Sequence, residues 1–482
     1  MERTISLVFL IWFVLLNGGF LFEVDALKAK AKFKMIHRHS PELGDHPGST
    51  LGPPINSRER LKQLVHSDHA RVQTIRERLV RQERKTYEET PSSEKLDLIE
   101  LPIRSAADLG SGQYFISMRI GTPPKKFLML ADTGSVVTWI KCNNQCSNCT
   151  KEELKDVRFY RPNESRTFQP IHCDSSYCAS QLLPYRSFEN CPAPDAPCRY
   201  EGGYLDGTKV SAAFGNDTVT IRMSGGQKVK LVNITIGCAT ETSQFSELLD
   251  GILGLGVDTV SFAGQAGMQF GGKFSYCLVD HFSPTDVVSY LVFGGVKVKG
   301  NELLNMQETD MILGQWFWST HYHLNVTGIS LDGKMLDIPS NIWTYVPHKG
   351  GGVILDSGTS LTALVTPAYD KVVEGLLPSI SGFEAVNANG EGIMPRHCFE
   401  AKGFNETLIP KLAIHFANGA KFMPPVKSYV IDQTDTTKCL GFMKLNWPDV
   451  SIIGNILQQN HYWEFDLFNQ KLKFAPSSCT FD

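Results

Sequence analysis

Two apolar runs, Phe127-Leu128-Met129-Leu130-Ala131 and Gly352-Val353-Ile354-Leu355, each lead into an aspartate, a glycine turn and a hydroxyl residue. Runs this short, bounded by turn residues, read as buried strands. Gln113 to Ile120 alternates apolar and polar positions well enough for a strand, and Gly121-Thr122-Pro123-Pro124 is a turn. From Gly112 onward, short Val-, Ile-, Phe-, Tyr- and Thr-rich stretches alternate with Gly and Pro turns, without the βαβ rhythm of an open parallel sheet. The clearest helix in this region is Pro367 to Leu377. Upstream the pattern changes. Arg58 to Gln82 repeats apolar residues at helical spacing (Leu61, Leu64, Val65, Val72, Ile75, Leu79) after the capping pair Asn56-Ser57. Lys85 to Glu100 is a polar linker. The prediction is a β-rich body preceded by a leader with one helix.

At the N-terminus, Ile5 to Leu16 is apolar for twelve residues, and Val24-Asp25-Ala26 is a small-x-Ala cleavage site. Twelve helical residues are too short for about 30 Å of hydrocarbon, so a signal peptide is expected rather than an anchor. The chain has 482 residues, 42% hydrophobic, with 41 Gly and 25 Pro, ample for a large core with many turns. Its formal net charge of −3 argues against nucleic acid or an anionic membrane as partner. Residues 27–105 nevertheless carry 16 Lys/Arg against 11 Asp/Glu, about +5, which leaves about −6 on residues 106–482.

All twelve cysteines lie between Cys142 and Cys479: Cys142, Cys146, Cys149, Cys173, Cys178, Cys191, Cys198, Cys238, Cys277, Cys398, Cys439 and Cys479. An even count confined to the body suggests six disulfides and an oxidising compartment. A zinc reading of Cys142, Cys146 and Cys149 lacks a completing His or Cys pair. Six Asn-x-Ser/Thr sequons, at Asn148, Asn163, Asn216, Asn233, Asn325 and Asn405, occupy the same region and agree with passage through the secretory pathway as a glycoprotein.

The chemistry lies in a repeat. Asp132-Thr133-Gly134-Ser135 and Asp356-Ser357-Gly358-Thr359 are one signal written twice. Each is followed downstream by an apolar strand broken by glycine, Asp250-Gly251-Ile252-Leu253-Gly254-Leu255-Gly256 in one half and Ser451-Ile452-Ile453-Gly454-Asn455 in the other. A repeat this long implies two similar lobes. Two carboxylates about 3 Å apart cannot both ionise, so they share a proton and divide the work of base and acid. With Tyr114-Phe115, Gly121-Thr122-Pro123-Pro124, Cys142-x3-Cys146-x2-Cys149, Gly237-Cys238 and Phe274-Ser275-Tyr276-Cys277-Leu278, residues 110–482 resemble the pepsin-like aspartic proteases, and within them the plant nepenthesin-like branch.

The resemblance implies a mainly β, bilobal pepsin-like fold with the active-site cleft between two β-rich lobes. The expected division is a signal peptide at 1–26, a prosegment at 27–105, a first lobe at 106–298 with a Cys-rich insertion at 142–198, and a second lobe at 299–482. It implies Asp132 and Asp356 as the catalytic pair. Thr133, Gly134, Ser135, Ser357, Gly358 and Thr359 would support it, and flap Tyr204 would lie over the cleft beside Trp139. The family usually has glycine where this chain has Leu205. It also implies bridges Cys398–Cys439, Cys277–Cys479, Cys142–Cys146, Cys149–Cys238 and two among Cys173, Cys178, Cys191 and Cys198. The expected activity is acid endoproteolysis of a protein or peptide substrate by a monomeric zymogen. No cofactor, metal or membrane anchor is needed once the signal is removed. The expected destination is the apoplast or vacuole, with the plastid also open. The competing reading is a non-catalytic binding protein or glycosidase inhibitor on the same fold, which would have lost catalytic residues that this chain keeps.

Overall fold

The computed structural model describes residues 68, 99–105, 114–142, 158–187, 191–203, 209–222, 228–243, 249–280, 289–294, 305–313, 320–346, 349–386 and 397–479. The expected signal peptide and nearly all of the expected prosegment lie outside them. The described chain is mainly β.

Six antiparallel strands join the two halves of the chain. Ile99–Ser105 pairs with Ser289–Phe293, which pairs with Lys273–Cys277. Lys273–Cys277 pairs across the middle with His461–Asp466, followed by Lys471–Pro476 and Gln307–Ile312. Each half therefore supplies three strands. At the central pair Phe274 stands opposite Phe465, their rings stacked with centroids 4.4 Å apart. The Cys277–Cys479 bridge fastens the same seam. It closes a separation of 202 residues, which restricts the unfolded chain by about 5 kcal/mol. The strand Ile99–Ser105 falls within the stretch expected as prosegment, yet it pairs on both sides, with Ser289–Phe293 and Tyr114–Ile120.

Each half then builds the same knot of strands. In the first, Lys125–Asp132 runs parallel to Gly251–Gly254, which also pairs antiparallel with Trp139–Lys141. In the second, Val353–Leu355 runs parallel to Ser451–Ile453, which pairs antiparallel with Thr362–Val365. Strands buried on both faces are written as unbroken apolar runs, which is why the two runs before the aspartates read as they do. The expected helix is Thr366–Ile380, with Pro367 in its first turn and Ala368, Tyr369, Val372, Val373, Leu376 and Ile380 buried.

Among the described cysteines, Cys398 pairs with Cys439, Cys277 with Cys479, Cys173 with Cys191 and Cys178 with Cys198. Two implied pairings are corrected. Cys142 bonds Cys238, so neither Cys142–Cys146 nor Cys149–Cys238 forms. The register dictates this. Trp139–Lys141 lies parallel to Lys228–Ser243 with Ile140 opposite Cys238, and the Cys142 amide donates to the Ala239 carbonyl. The two Cα atoms are thereby held 5.3 Å apart. Cys146 and Cys149 lie outside the described residues. No helix among the described residues is long and apolar enough to cross a membrane.

Candidate active site

Both aspartates sit at the ends of the buried strands, fully shielded from solvent. Their carboxylates are held in the same way. The Gly134 amide donates to Asp132 Oδ1 at 2.9 Å, and the Ser135 hydroxyl to Oδ2 at 2.5 Å. The Gly358 amide donates to Asp356 Oδ1 at 2.8 Å, and the Thr359 hydroxyl to Oδ2 at 2.6 Å. The second turn residue does different work. The Thr133 amide donates to Ser357 Oγ at 3.0 Å, and the Ser357 amide to Thr133 Oγ1 at 2.8 Å. The Ser357 hydroxyl also donates to the Ala131 carbonyl at 3.0 Å. The two loops, 224 residues apart in sequence, are thus tied reciprocally through buried bonds.

The glycine-broken strands allow this approach. A Cβ on Gly254 would lie 2.0 Å from the Val136 carbonyl oxygen, and one on Gly454 2.4 Å from that of Leu361. Any side chain there would push the aspartate loop off its strand.

Sequence reasoning missed a second layer of polar residues. Thr138 and Thr362 each stand six positions after their aspartate. Thr138 Oγ1 accepts from the Gly254 amide at 3.1 Å, and Thr362 Oγ1 from the Gly454 amide at 3.2 Å. The repeat of threonine at equal offset was the available signal. Two amide side chains brace the second loop alone. Asn455 Nδ2 donates to the Ser357 carbonyl at 2.9 Å. Gln458 Nε2 donates to the carbonyls of Asp356 at 3.2 Å and Ile453 at 2.8 Å. Gln458 Oε1 accepts from the Tyr276 hydroxyl at 2.6 Å, so the first half reaches into the second loop. Burial pushes the Tyr276 phenol far above its ordinary range, with the nearby Asp356 charge adding to it, so this hydroxyl keeps its proton and remains a donor.

Trp139, expected beside the flap, is fully buried in the strand Trp139–Lys141. The hairpin that would carry the flap pairs Arg199–Gly203 with Lys209–Arg222 out to Gly203 opposite Lys209. Its tip, with Tyr204 and Leu205, lies outside the described residues. The Cys-rich insertion docks on the first half through Tyr185, whose hydroxyl donates to Asp258 Oδ2 at 2.6 Å. Of the sequon asparagines, Asn163, Asn233, Asn325 and Asn405 are exposed. Asn216 is half-buried and its Oδ1 accepts from the Thr235 hydroxyl, while Asn148 lies outside the described residues.

Two carboxylates, one from each half, are thus each bonded by one amide and one hydroxyl, on loops tied to one another; ionised, such a group takes up a proton, and protonated, it gives one. Residues 114–295 match the family model described as xylanase inhibitor N-terminal, and residues 321–476 the one described as xylanase inhibitor C-terminal. The chain is 30% identical to Aspartyl protease family protein 2 of Arabidopsis thaliana over 377 residues, 78% of this chain and 73% of that protein. It is 28% identical to aspartic proteinase nepenthesin-2 of Nepenthes gracilis over 383 residues, 79% of this chain and 80% of that protein. Among solved structures, the Basic 7S globulin from soybean has the same fold, with a TM-score of 0.62 at 18% identity over 79% of this chain and 97% of that one.

Proposed function

Because the chain belongs to the pepsin-like aspartic protease family of plants, we propose that it is an aspartic endopeptidase, made as a secretory-pathway zymogen and active in acid through a water activated by Asp132 and Asp356. The observation that carries this reading is the matched pair of carboxylate cradles on reciprocally tied loops. In the proposed reaction the ionised member of the pair takes a proton from water as its oxygen attacks the scissile carbonyl. The other member gives a proton to the carbonyl oxygen. The resulting diol collapses, the amide nitrogen is protonated, and a carboxylic acid and an amine leave. The proton is shared, so the two roles belong to the pair.

The leader completes the reading. Its charge of about +5 opposes about −6 on the body, so the two attract at neutral pH and part as the body's carboxylates are protonated. A cut ahead of Ile99 would leave the strand Ile99–Ser105 in the central sheet, so the mature N-terminus is expected between Lys85 and Leu98. The sequons and disulfides fit passage through the secretory pathway to the apoplast or vacuole, with the plastid also open. A second reading, a non-catalytic binding protein on the same fold, draws on the xylanase-inhibitor description of the two family models. The deciding experiment incubates the purified precursor with a denatured protein across pH, with and without pepstatin. Cleavage confined to acid and stopped by pepstatin is expected. Cleavage that rises through neutral pH and survives pepstatin sinks the reading. No cleavage at any pH, after the leader has gone, favours the binding protein.

A further inference from the structure

Asp68 is the one described residue that precedes Ile99, and it is fully buried in helical conformation. Its carboxylate meets the second catalytic loop. The Ser360 amide donates to Oδ1 at 2.8 Å and the Leu361 amide to Oδ2 at 2.6 Å, across 292 residues of sequence. Ser360 directly follows Thr359, whose hydroxyl holds Asp356. The other side of the same segment is also fixed, because the Ser360 carbonyl accepts from the Ile456 amide at 3.1 Å. In the sequence, Asp68 stands four residues after Leu64 and four before Val72, on the apolar stripe of the predicted leader helix. A carboxylate there costs free energy unless it finds donors, and two consecutive amides supply them. The equivalent positions after Asp132 are Val136 and Val137, so the repeat of the two halves breaks at Ser360 in sequence as well.

We propose that the Ser360 and Leu361 amides form a carboxylate-binding site on the second catalytic loop, filled in the precursor by the leader's own Asp68. The site anchors the leader at one side chain, beyond the diffuse attraction of opposite charges, and it rests on the zymogen reading above for its consequence. A leader held there is tied directly to the loop that carries Asp356. Its release frees two amides without touching the carboxylate cradle.

The test uses the full-length precursor as wild type, Asp68→Ala and Asp68→Asn. Hydrogen exchange at neutral pH is read on peptides spanning residues 360–361, with residues 353–355 and 451–453 as references. Leader loss after a drop in pH is followed by mass spectrometry. In Asp68→Ala, exchange at 360–361 is expected to rise and leader loss to quicken, each on the order of tenfold, with the reference strands unchanged. Activity per released body should equal wild type. Asp68→Asn keeps the shape and one acceptor oxygen, so it should fall between the two, and it carries the test if the alanine variant does not fold. Wild-type exchange at 360–361 together with wild-type leader loss in both variants overturns the proposal. If exchange rises but the wild-type precursor already cleaves substrate with its leader attached, the carboxylate site stands and the zymogen reading falls.

Discussion

The two aspartate loops agree atom for atom where they hold a carboxylate and diverge one step behind it. The carbonyl of Asp132 accepts from a backbone amide, that of Leu255, at 2.8 Å. The carbonyl of Asp356 accepts from a side chain, Gln458 Nε2. Gln458 stands four residues after Gly454, and the residue four after Gly254 is Asp258. Asp258 turns the other way, to the Val260 amide and to Tyr185 of the Cys-rich insertion. One position thus braces the loop in one half and anchors an appendage in the other. The proposed chemistry needs two matched carboxylates, and the cradles match; it makes no such demand on the support behind them, and there the halves differ.

The comparison is tested most severely at the cradle itself. Asp132→Asn and Asp356→Asn should each lower turnover on the order of 10⁴-fold, because neither half can do the other's part. The near-isosteric amides should leave the unfolding transition in place. A folded variant of either kind with near wild-type turnover would break the equivalence of the halves and the reading built on it.

Gln458→Leu should expose the asymmetry behind the cradle. The Asp356 carbonyl loses its side-chain donor, the Ile453 carbonyl keeps only the Asp356 amide, and the Tyr276 hydroxyl loses its acceptor. A loss of about 3 kcal/mol in urea unfolding is expected, with a fall in kcat. Asp258→Leu removes bonds to Tyr185 and Val260 instead. It should loosen the insertion, read as faster proteolytic nicking there, while kcat changes less. Equal losses of kcat in the two variants would mean that the supports are interchangeable after all.

The halves also differ in their response to acid. In the first, burial raises Asp250 against the opposing pull of Arg158, the Leu128 amide and Lys141, and burial likewise raises Asp258. A carboxyl raised in the folded chain contributes stability that is fully present below its unfolded value and is lost as pH climbs through the raised one. In the second half, burial lowers His461 to about 4, although its bond to the Gln459 carbonyl pulls the other way. The folded chain refuses a proton that the unfolded chain accepts, so stability falls between about pH 6.5 and pH 4, by up to about 3 kcal/mol. The second half is therefore the one that acid strains. His461→Phe keeps a ring between Phe422 and Trp463, and it should make the decline in urea unfolding from pH 7 to 4 shallower, with the part owed to His323, lowered to about 3 by burial and by neighbouring His321, remaining. A variant with the wild-type slope would remove His461 from the account.

Much of this was readable in the chain. The strands before Asp132 and Asp356 were legible because a strand buried on both faces admits only apolar residues. The cradle was legible because its residues are adjacent in sequence. The Cys142–Cys238 bridge was not, because the parallel register of Trp139–Lys141 on Lys228–Ser243 is a long-range property. Gln458 and Asn455 were equally hidden. The bonds by which they brace the loop go to backbone carbonyls about a hundred residues away, and a carbonyl has no letter in the sequence. Asp68 was hidden for the same reason, since its partners are amides.

The smallest effect is the sharpest test of the repeat. Thr138 and Thr362 occupy equal offsets, and each accepts from the glycine amide that lets its loop approach. Valine at either position keeps the shape of threonine and leaves that buried amide without its acceptor. Each substitution should cost about 1 kcal/mol in urea unfolding. The two sites belong to different loops with separate partners, so the double variant should lose the sum to within about 0.5 kcal/mol. Unequal single costs would show that the halves already differ at the strand that carries the loop. A double variant that loses clearly more or less than the sum would show that the reciprocal Thr133–Ser357 tie transmits strain from one half to the other.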